Sequence, residues 1–277
     1  MSPLAPFSNE LASLIPAMGQ EDFPTRLIKM FKELVPIGDA TIIVYPGTDL
    51  PVVEYFEVPK SGGRSTLDIF IKGAFLLDPY YLAATRDQKF GMFRIQELSP
   101  EGFRDSEYYK TWYRDCGYHD ECGYLIPISG EGFINIALGR TEARARFTQR
   151  QLDILDAIRP TVDVLCQQHW AESGAAASES NLRGKMHAAL EAFGSSVLTE
   201  REAQVINMVL HGHSTKTIAE KLSISMETVK LHRKHAYAKL EISSQAELFY
   251  LFLDSLMSAN DYAGGDTLIA YSQPPKR

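Results

Sequence analysis

The sequence predicts an α+β protein with an N-terminal α/β/α sandwich on a single antiparallel sheet and a C-terminal all-α domain of four helices. Three observations predict this class. Strand patterns and helix patterns alternate up to about residue 170, small and polar residues fill 171–181, and helical patterns alone follow residue 195. Strands mixed with helices, and a hairpin near the end, favour one antiparallel sheet covered by helices. A chain of 277 residues also suits about two domains.

The first helices and strands follow from the spacing of apolar residues. Helical spacing predicts helices over 8–18 and 22–35. Two runs rich in β-branched residues, Thr41–Tyr45 and Val52–Val58, predict strands that a Pro/Gly turn at 46–51 joins. The N-terminal part therefore starts with two helices and then two paired strands.

Apolar spacing and turn residues also predict the helices and the hairpin between residues 66 and 170. We expect a helix over 66–84 that proline interrupts at Asp78-Pro79, and an aromatic-rich helix over 105–115. Gly123–Ser129 and Gly132–Gly139 predict a hairpin, and 148–170 predicts a long helix. This layout resembles small-molecule sensor domains of the GAF and PAS type, a likeness of fold alone.

Composition divides the chain into four segments. We expect a sensor-type domain over 1–170, a linker over 171–195, a helical domain over 196–257 and a flexible tail over 258–277. The linker begins with small and polar residues and the tail contains Gly264-Gly265 and Pro274-Pro275, which suit loosely held chain.

Charge is unevenly distributed along the chain. The net charge is −7, which does not suggest a nucleic-acid binder. Residues 211–240, however, hold six basic and two acidic side chains, and this local excess suits contact with phosphate. The basic residues are Lys216, Lys221, Lys230, Arg233, Lys234 and Lys239. A solvated helix face is the alternative explanation of this pattern.

Two short capped helices in the C-terminal part predict a helix-turn-helix. Thr199 and Glu202 have capping-box spacing, and Ser214 and Ser225 precede the two helices of the motif. The second helix has a polar, basic outer face formed by Lys230, Leu231, Lys234, His235 and Ala238. The major groove of DNA admits one such helix, and lysine there donates to guanine while apolar groups contact thymine methyls.

At these residues the chain resembles the LuxR-type helix-turn-helix over about 196–257. The shared residues are Leu198-Thr199-x-Arg201-Glu202, Gly212, Ile218-Ala219-x-x-Leu222, Ile224-Ser225-x-x-Thr228-Val229-Lys230-x-His232 and Lys239-Leu240. The resemblance implies a DNA-binding transcriptional regulator that binds an inverted repeat in double-stranded DNA as a homodimer. It places Lys230, Leu231 and Lys234 at the bases, and Lys216, Thr228, Arg233 and His235 on or near the backbone.

The fourth helix of the C-terminal domain resembles the dimer contact of that family. Phe249, Leu253 and Leu256 suit pairing with a twofold mate. Core packing of Phe249, Phe252 and Leu256 under the first helix of the domain is the alternative.

The N-terminal part resembles the quorum-sensing domain of LuxR-type regulators. The shared features are Asp78-Pro79, Phe93 and Gly117, followed by Pro127-x-x-Gly130-x-Gly132. The family has a tryptophan and a tyrosine ahead of the aspartate, where this chain has Ser65 and Ile69. Because these residues clasp an acyl-homoserine lactone in the family, the resemblance implies a small-molecule effector of another kind.

Aromatic residues cluster at 80–118 and suggest the effector site, since ligand pockets are mostly apolar with a few polar groups. Such a cluster can also hold an amine by cation–π attraction, with Asp78 or Glu121 as counter-charge. The candidate effector residues are Asp78, Tyr80, Phe93, Tyr109, Trp112, Tyr113 and Glu121. Core packing is the alternative role for most of these aromatic residues.

Other classes of function have less support in the sequence. Cys116-x-x-His119-x-x-Cys122 suggests a metal or redox sensor, but a fourth zinc ligand is not evident, so we expect no cofactor and no metal. The N-terminal domain could also be only a dimerisation or protein-partner module. Motifs of catalysis are absent, so we expect no enzyme. No apolar run is long enough to span a membrane, and three scattered cysteines suit the reducing cytoplasm.

Overall fold

The computed structural model describes residues 3–47, 50–57, 67, 70–71, 73–111, 113–142, 145–171, 182–258 and 265–271. The chain divides into two compact units, which are described separately. The sheet unit comprises Met1–Gly63, Pro79–Leu98 and Cys116–Asn181. The helical unit comprises Arg64–Asp78, Ser99–Asp115 and Leu182–Arg277.

The sheet unit contains one antiparallel sheet, as the sequence predicts. Its strands are β1 (Asp39–Tyr45), β2 (Val52–Phe56), β3 (Gly91–Arg94), β4 (Asp120–Pro127) and β5 (Phe133–Arg140). Among the described residues they form one five-stranded sheet in the order β2-β1-β5-β4-β3. The accompanying helices are α1 (Leu4–Leu14), α2 (Phe23–Leu34), α3 (Pro79–Thr85), α4 (Ile95–Leu98) and α6 (Gln149–His169).

The sheet has two faces of different character, because successive side chains of a strand point to opposite sides. The first face carries Ile42, Tyr124 and Ile136, which share one buried core with apolar residues of α1, α2 and α6. The Tyr124 hydroxyl, for example, donates to the Leu155 carbonyl of α6 at 2.8 Å. The second face carries the alternate residues, among them Asn135, which pairs with Ile43 and Leu125 across the sheet.

Asp120 at the start of β4 holds several parts of the sheet unit together. Its side chain is fully buried and accepts hydrogen bonds from Arg94 at 3.1 Å, Gln96 at 3.0 Å and the Phe147 amide at 2.8 Å. Burial alone would raise the pKa of this carboxyl, but these hydrogen bonds and the Arg94 charge lower it. The ionised Asp120 therefore ties β3, α4 and the chain before α6 to β4.

The helical unit contains the C-terminal helices. They are α7 (Leu182–Ala192), α8 (Glu200–Leu210), α9 (Thr215–Leu222), α10 (Met226–Lys239), α11 (Gln245–Ser258) and α12 (Thr267–Tyr271). Two segments from earlier in the chain also pack in this unit. One is 64–78, and the other is 99–115, which contains α5 (Glu107–Thr111). The division into 1–170 and 196–257 predicted from the sequence does not anticipate these two segments.

Three local predictions differ from the structure. Pro79 begins α3 rather than ending a helix, because proline is tolerated in a first turn, where its missing N–H has no helical partner. Of the predicted linker 171–195, residues 172–181 lie outside the described part of the chain, and 182–192 form α7, whose Ala189 and Leu190 are buried. Of the predicted flexible tail 258–277, residues 259–264 and 272–277 also lie outside it, and 265–271 contain α12.

Asp266 is the physical reason for order in the predicted tail. Its carboxylate accepts hydrogen bonds from the amides of Gly194 at 2.9 Å and Ser196 at 2.8 Å. Thr267 is also buried, and its hydroxyl bonds Ser255 of α11 at 2.9 Å. The two amide contacts of Asp266 join residues about 70 positions apart, a separation that patterns of neighbouring residues cannot reveal.

Candidate nucleic-acid interface and effector residues

Two serine caps and one left-handed residue position helices α9 and α10. The Ser214 hydroxyl accepts from the Thr217 amide at 3.1 Å at the start of α9. Ser223 ends this helix with φ of 54°, and the Ser225 hydroxyl then accepts from the Thr228 amide at 3.0 Å at the start of α10. Serine is a preferred N-cap residue, because its hydroxyl accepts from a free amide of the first turn. Both predicted caps and both helices are observed, so the predicted helix-turn-helix is confirmed.

The inward side of α10 is anchored in the core of the helical unit. Val229 and Ala236 are 1% and 0% exposed, and Leu240 follows the helix as a further buried residue. Lys239, in the last turn, donates to Glu202 in the first turn of α8 at 2.6 Å. Glu202 also completes the capping box with Thr199. Apolar packing and this ion pair set the orientation of α10 on α8.

The outward side of α10 presents the residues predicted to read bases. Lys230, Leu231, Lys234, His235 and Ala238 are all exposed. Half of the surface of Leu231 is open to solvent, so an apolar side chain is available on this face of the helix. Exposed cationic and apolar side chains on one helix face match the edges of guanine and the methyl of thymine.

Glu227 is a further candidate on this face. It is one of the two acidic residues within the basic stretch 211–240. It lies in the first turn of α10, and its carboxylate accepts from the Lys230 ammonium at 2.7 Å. Both side chains are mostly exposed, so the pair is weak and open to exchange. A carboxylate there can accept from cytosine N4, which makes Glu227 a candidate base-reading residue.

The predicted backbone-contacting residues lie around the two helix starts and along α10. Lys216 is exposed in the first turn of α9, and Thr228 is half-buried in the first turn of α10. Arg233 is half-buried near Tyr237, while His235 is exposed. The N-termini of both helices carry amides and partial positive charge that attract phosphate.

Segment 99–115 packs against the turn between α8 and α9. A Cβ atom on Gly102 would lie 2.5 Å from the Gly212 carbonyl oxygen and 2.8 Å from the Ser214 nitrogen, so only glycine permits this approach. Beside it, the Thr217 hydroxyl donates to the Glu101 carboxylate at 3.2 Å. A carboxylate therefore lies at the start of α9, where we expect a DNA phosphate.

The apolar residues of α11 pack within their own chain. Phe249 and Phe252 are 1% and 0% exposed, and Leu253 is 6% exposed. Phe252 contacts the Phe193 ring edge-on at 5.5 Å between centroids. Of the two roles predicted from the sequence, core packing is confirmed for Phe249 and Phe252. Phe249 and Leu253 offer little surface to a second copy, whereas Leu256 is partly exposed, and dimer pairing through this helix stays a prediction.

The predicted effector residues fall into the two units rather than into one described cluster. Tyr80, Phe93 and Glu121 belong to the sheet unit, where the Tyr80 hydroxyl donates to the Phe93 carbonyl at 3.1 Å. Tyr80 and Glu121 are buried, and Phe93 is partly exposed. Glu121 lies on the second face of the sheet, opposite Gly139 of β5.

Asp78, Tyr109 and Tyr113 belong to the helical unit. The carboxylate of Asp78 is buried and accepts a short hydrogen bond from the Tyr108 hydroxyl. The rings of Tyr109 and Tyr113 stack at 5.4 Å between centroids. Trp112 lies outside the described residues. These contacts suit a packed aromatic cluster, and the binding role of the predicted effector residues stays a prediction.

The two cysteines of the predicted metal or redox motif lie in different surroundings. Cys122 is fully buried on the first face of the sheet, and burial raises the pKa of its thiol strongly. Cys116 is partly exposed, and neither cysteine forms a disulfide. Within the described part of the chain, no group of three His, Cys, Asp or Glu side chains is placed to hold a metal. A thiol with a raised pKa is a poor nucleophile and a poor ligand, which gives this alternative no support.

The sequence of this chain is similar to those of known bacterial regulators. Residues 196–252 match the family described as bacterial regulatory proteins, luxR family. A protein from Aeromonas salmonicida, described as an HTH-type transcriptional regulator in the exeN 3′ region, is 34% identical over 189 residues, which are 66% of this chain and 96% of the relative. The chain belongs to the luxR family. Members of this family are transcription regulators rather than enzymes.

A solved structure shows the fold of the N-terminal part. The LBD domain of VqsR from Pseudomonas aeruginosa matches 58% of this luxR-family chain and 94% of its own length, with 23% identity and a TM-score of 0.51. Another relative, the response regulator protein TmoT from Ectopseudomonas mendocina, is 36% identical over 135 residues, which cover 46% of this chain and 56% of TmoT. The N-terminal part therefore has the fold of the VqsR LBD domain, and the luxR-family helix-turn-helix follows it in the chain. No helix among the described residues is long and apolar enough to cross a membrane.

Proposed function

We propose that this luxR-family regulator binds an inverted-repeat operator as a homodimer and that a small molecule in the sheet unit controls this binding. The observation that carries the DNA part is the outward face of α10. It is exposed, cationic at Lys230 and Lys234, and apolar at Leu231, while its opposite face is locked into the core. Such a helix can enter the major groove without unfolding or rearranging its unit.

The chemistry divides the proposed DNA contacts into two groups. Lys230, Leu231 and Lys234 read bases, as the family resemblance implies, and all three are exposed on the outward side of α10. Lys216 and Thr228 contact phosphates near the helix starts. Arg233 and His235 flank this surface on α10 and contact the backbone. Phosphate contacts fix position and base contacts fix sequence, so the two groups differ in what their loss does.

A dimer on an inverted repeat would place its two recognition helices one helical turn apart, about 34 Å along the DNA. The luxR-family resemblance supports this arrangement. The contact between the copies must use surfaces other than Phe249 and Leu253, which are buried within each chain.

Control by a small molecule has support from the fold of the sheet unit, which is that of the VqsR LBD domain. The departures at Ser65 and Ile69 favour a ligand other than an acyl-homoserine lactone. We propose that this regulation takes place in the cytoplasm, where bacterial DNA lies. A ligand changes DNA affinity only as far as it binds the DNA-competent form more or less tightly than the other form.

The test uses an operator selected by the full chain from a random 30-base-pair library. Lys234→Ala should cost about 1–3 kcal/mol of binding and relax one base position in each half-site. Lys216→Ala should weaken binding to every sequence alike and reduce the dependence on salt by about one ion. Lys29→Ala, at an exposed lysine of α2 outside the basic stretch 211–240, is the matched control and should leave operator affinity unchanged. Equal losses from Lys234→Ala and Lys216→Ala on all sequences would contradict the base-reading assignment.

A further inference from the structure

The second face of the sheet has a row of small side chains at its centre. Thr41, Ala137 and Gly123 pair directly across β1, β5 and β4, and Phe93 continues the row on β3. Thr41 and Ala137 are partly exposed, although their neighbours on β1 and β5 are buried, and Phe93 is partly exposed like the rest of β3. We call this row and the space above it the hollow. The sheet surface is recessed at Gly123 and Ala137, because these residues carry a hydrogen atom and a methyl group in place of a larger side chain.

Tyr118 closes one end of the hollow. Its ring lies on Gly139, where a Cβ atom would be 2.3 Å from the ring carbon Cε1. Its hydroxyl is hydrogen-bonded to Thr41, one step along the sheet. Asp39 and Glu121 lie on either side of Gly139, on β1 and β4, so two carboxylates accompany the tyrosine at this end.

Asn135 lies at the other end of the hollow. It precedes Ala137 by two residues on β5 and therefore points to the same face. The residue is 6% exposed, yet its Oδ1 atom accepts no hydrogen bond from the residues that the structure describes. A buried acceptor without a donor destabilises a fold and requires an explanation, and an unfilled ligand contact is one.

Asp39 shows the same feature at the carboxylate end. It is also 6% exposed, and its Oδ1 atom has no hydrogen-bond partner in the described chain. Burial raises the pKa of this carboxyl to about 6, and the charge of Glu57 and a side-chain hydrogen bond with Glu57 add to the effect. Lys32 is the cation near it, but its ammonium is paired with Glu57. A bound cation would favour the ionised form of Asp39.

The arginines of the neighbouring strands do not supply donors to this face. Arg94 of β3 donates to the buried Asp120 carboxylate. Arg140 of β5 donates to the Pro36 carbonyl at the end of α2. The described part of the hollow therefore offers acceptors at both ends and apolar surface between them.

We propose that the hollow binds a linear alkyl diamine, with one ammonium beside Asp39 and Glu121 and the other donating to Asn135 Oδ1. Asn135 lies four residues from Gly139 on β5, about 13 Å along the strand, so one amino group cannot reach both ends. The methylene chain of the diamine would contact the apolar surface of Ala137 and Gly123. The rings of Phe93 and Tyr118 at the edge of the hollow would attract an ammonium group by cation–π interaction. This inference rests on the proposed effector role of the sheet unit. Glu121 remains a counter-charge, as the sequence predicts. Asp39 takes the place of Asp78, whose carboxylate accepts a hydrogen bond from the Tyr108 hydroxyl.

The first experiment measures thermal unfolding and calorimetric binding of the full chain with 1,4-diaminobutane through 1,8-diaminooctane. Pentylamine and 1,5-pentanediol are the controls, because each lacks one or both ammonium groups. We expect saturable binding of at least one diamine and a rise of several degrees in the Tm. The monoamine should bind at least tenfold more weakly than that diamine. Failure of every diamine to raise the Tm beyond the effect of pentylamine would overturn the inference.

The second experiment assigns the two ends. Asp39→Asn should lower diamine affinity at least tenfold, and Glu121→Gln is a second variant should Asp39→Asn fail to fold. Asn135→Leu should raise the Tm of the ligand-free protein by a few degrees, because the lone acceptor is gone, and should reduce diamine affinity to that for pentylamine. Asp153→Asn, on the exposed side of α6, is the matched control and should change neither value. Diamine affinity unchanged by Asp39→Asn and Glu121→Gln would overturn the assignment.

A parallel measurement separates this inference from the proposed function. Binding to the selected operator is measured without and with the best diamine. Operator binding without any diamine binding would refute the inference and leave the DNA role intact. Diamine binding by a protein that selects no DNA would refute the proposed function instead and leave the diamine site standing.

Discussion

The ion pair between Lys239 and Glu202 holds the recognition helix on its unit, and its removal makes a quantitative prediction. The two groups are 2.6 Å apart, and the Glu202 side chain is 6% exposed while that of Lys239 is 39% exposed. Lys239→Met keeps most of the stem and removes the ammonium. Glu202 keeps its hydrogen bond from the Thr199 amide at 2.8 Å but loses the charged one. A lost hydrogen bond to a charged group costs about 1.5–3 kcal/mol, and partial access of water to Lys239 favours the lower half of that range.

A second pair on the same helix is the matched control. Lys230 and Glu227 are 2.7 Å apart, but their side chains are 55% and 80% exposed. Lys230→Met should therefore cost less than about 0.5 kcal/mol. Hydrogen exchange of the α8 and α10 amides in the full chain measures the local free energy of opening for both variants. Equal losses from the two substitutions would refute the argument that burial gives the Lys239 pair its strength.

The same pair predicts a pH dependence. Burial acts to raise the pKa of Glu202, but the hydrogen bonds from Lys239 and Thr199 lower it from 4.5 to about 2. Because the folded pKa lies below the unfolded one, the contribution to stability is complete above pH 4.5 and disappears as the pH falls towards 2. The difference between wild type and Lys239→Met should therefore shrink over this interval. A difference that stays constant from pH 7 to pH 2 would contradict the ion-pair explanation.

Three further changes have expected outcomes. Glu101→Gln removes a carboxylate from the start of α9 and should raise operator affinity roughly two- to fivefold at low salt, as fluorescence anisotropy would show; an unchanged affinity would mean that the carboxylate does not oppose phosphate. Asp266→Ala removes the acceptor for three backbone amides and should destabilise the helical unit by about 2–4 kcal/mol in urea unfolding, whereas a loss below 1 kcal/mol would imply a loosely held tail. Cys116→Ser and Cys122→Ala should leave operator affinity the same with and without reductant, and a change specific to oxidising conditions would restore the redox alternative.

Short-range patterns identified most of the secondary structure correctly. The hairpin of β4 and β5, the long helix α6 and the helix pair α9 and α10 are all confirmed. Each depends on residues within a few positions of one another, such as Thr199 and Glu202 in one capping box. Periodicity also identified the outward face of α10, because the apolar residues that define its inward face recur at fixed spacing.

Contacts between distant segments were decided by the tertiary structure. Segment 99–115 packs with the helical unit through Gly102, a role that no neighbouring residue indicates. Asp266 orders a predicted tail by accepting from amides some 70 residues earlier. Asp120, rather than Glu121, pairs with Arg94, because strand register decides which of two adjacent carboxylates points to each face.

The sequence by itself determined the family, the recognition helix and its exposed basic face, since these depend on local periodicity, caps and motif spacing. Only the tertiary structure decided that Phe249 is core and that Asn135 and Asp39 face one hollow. The physical reason is that burial and unsatisfied hydrogen-bonding groups are properties of the packed environment. A residue acquires them from segments that the chain brings together only on folding.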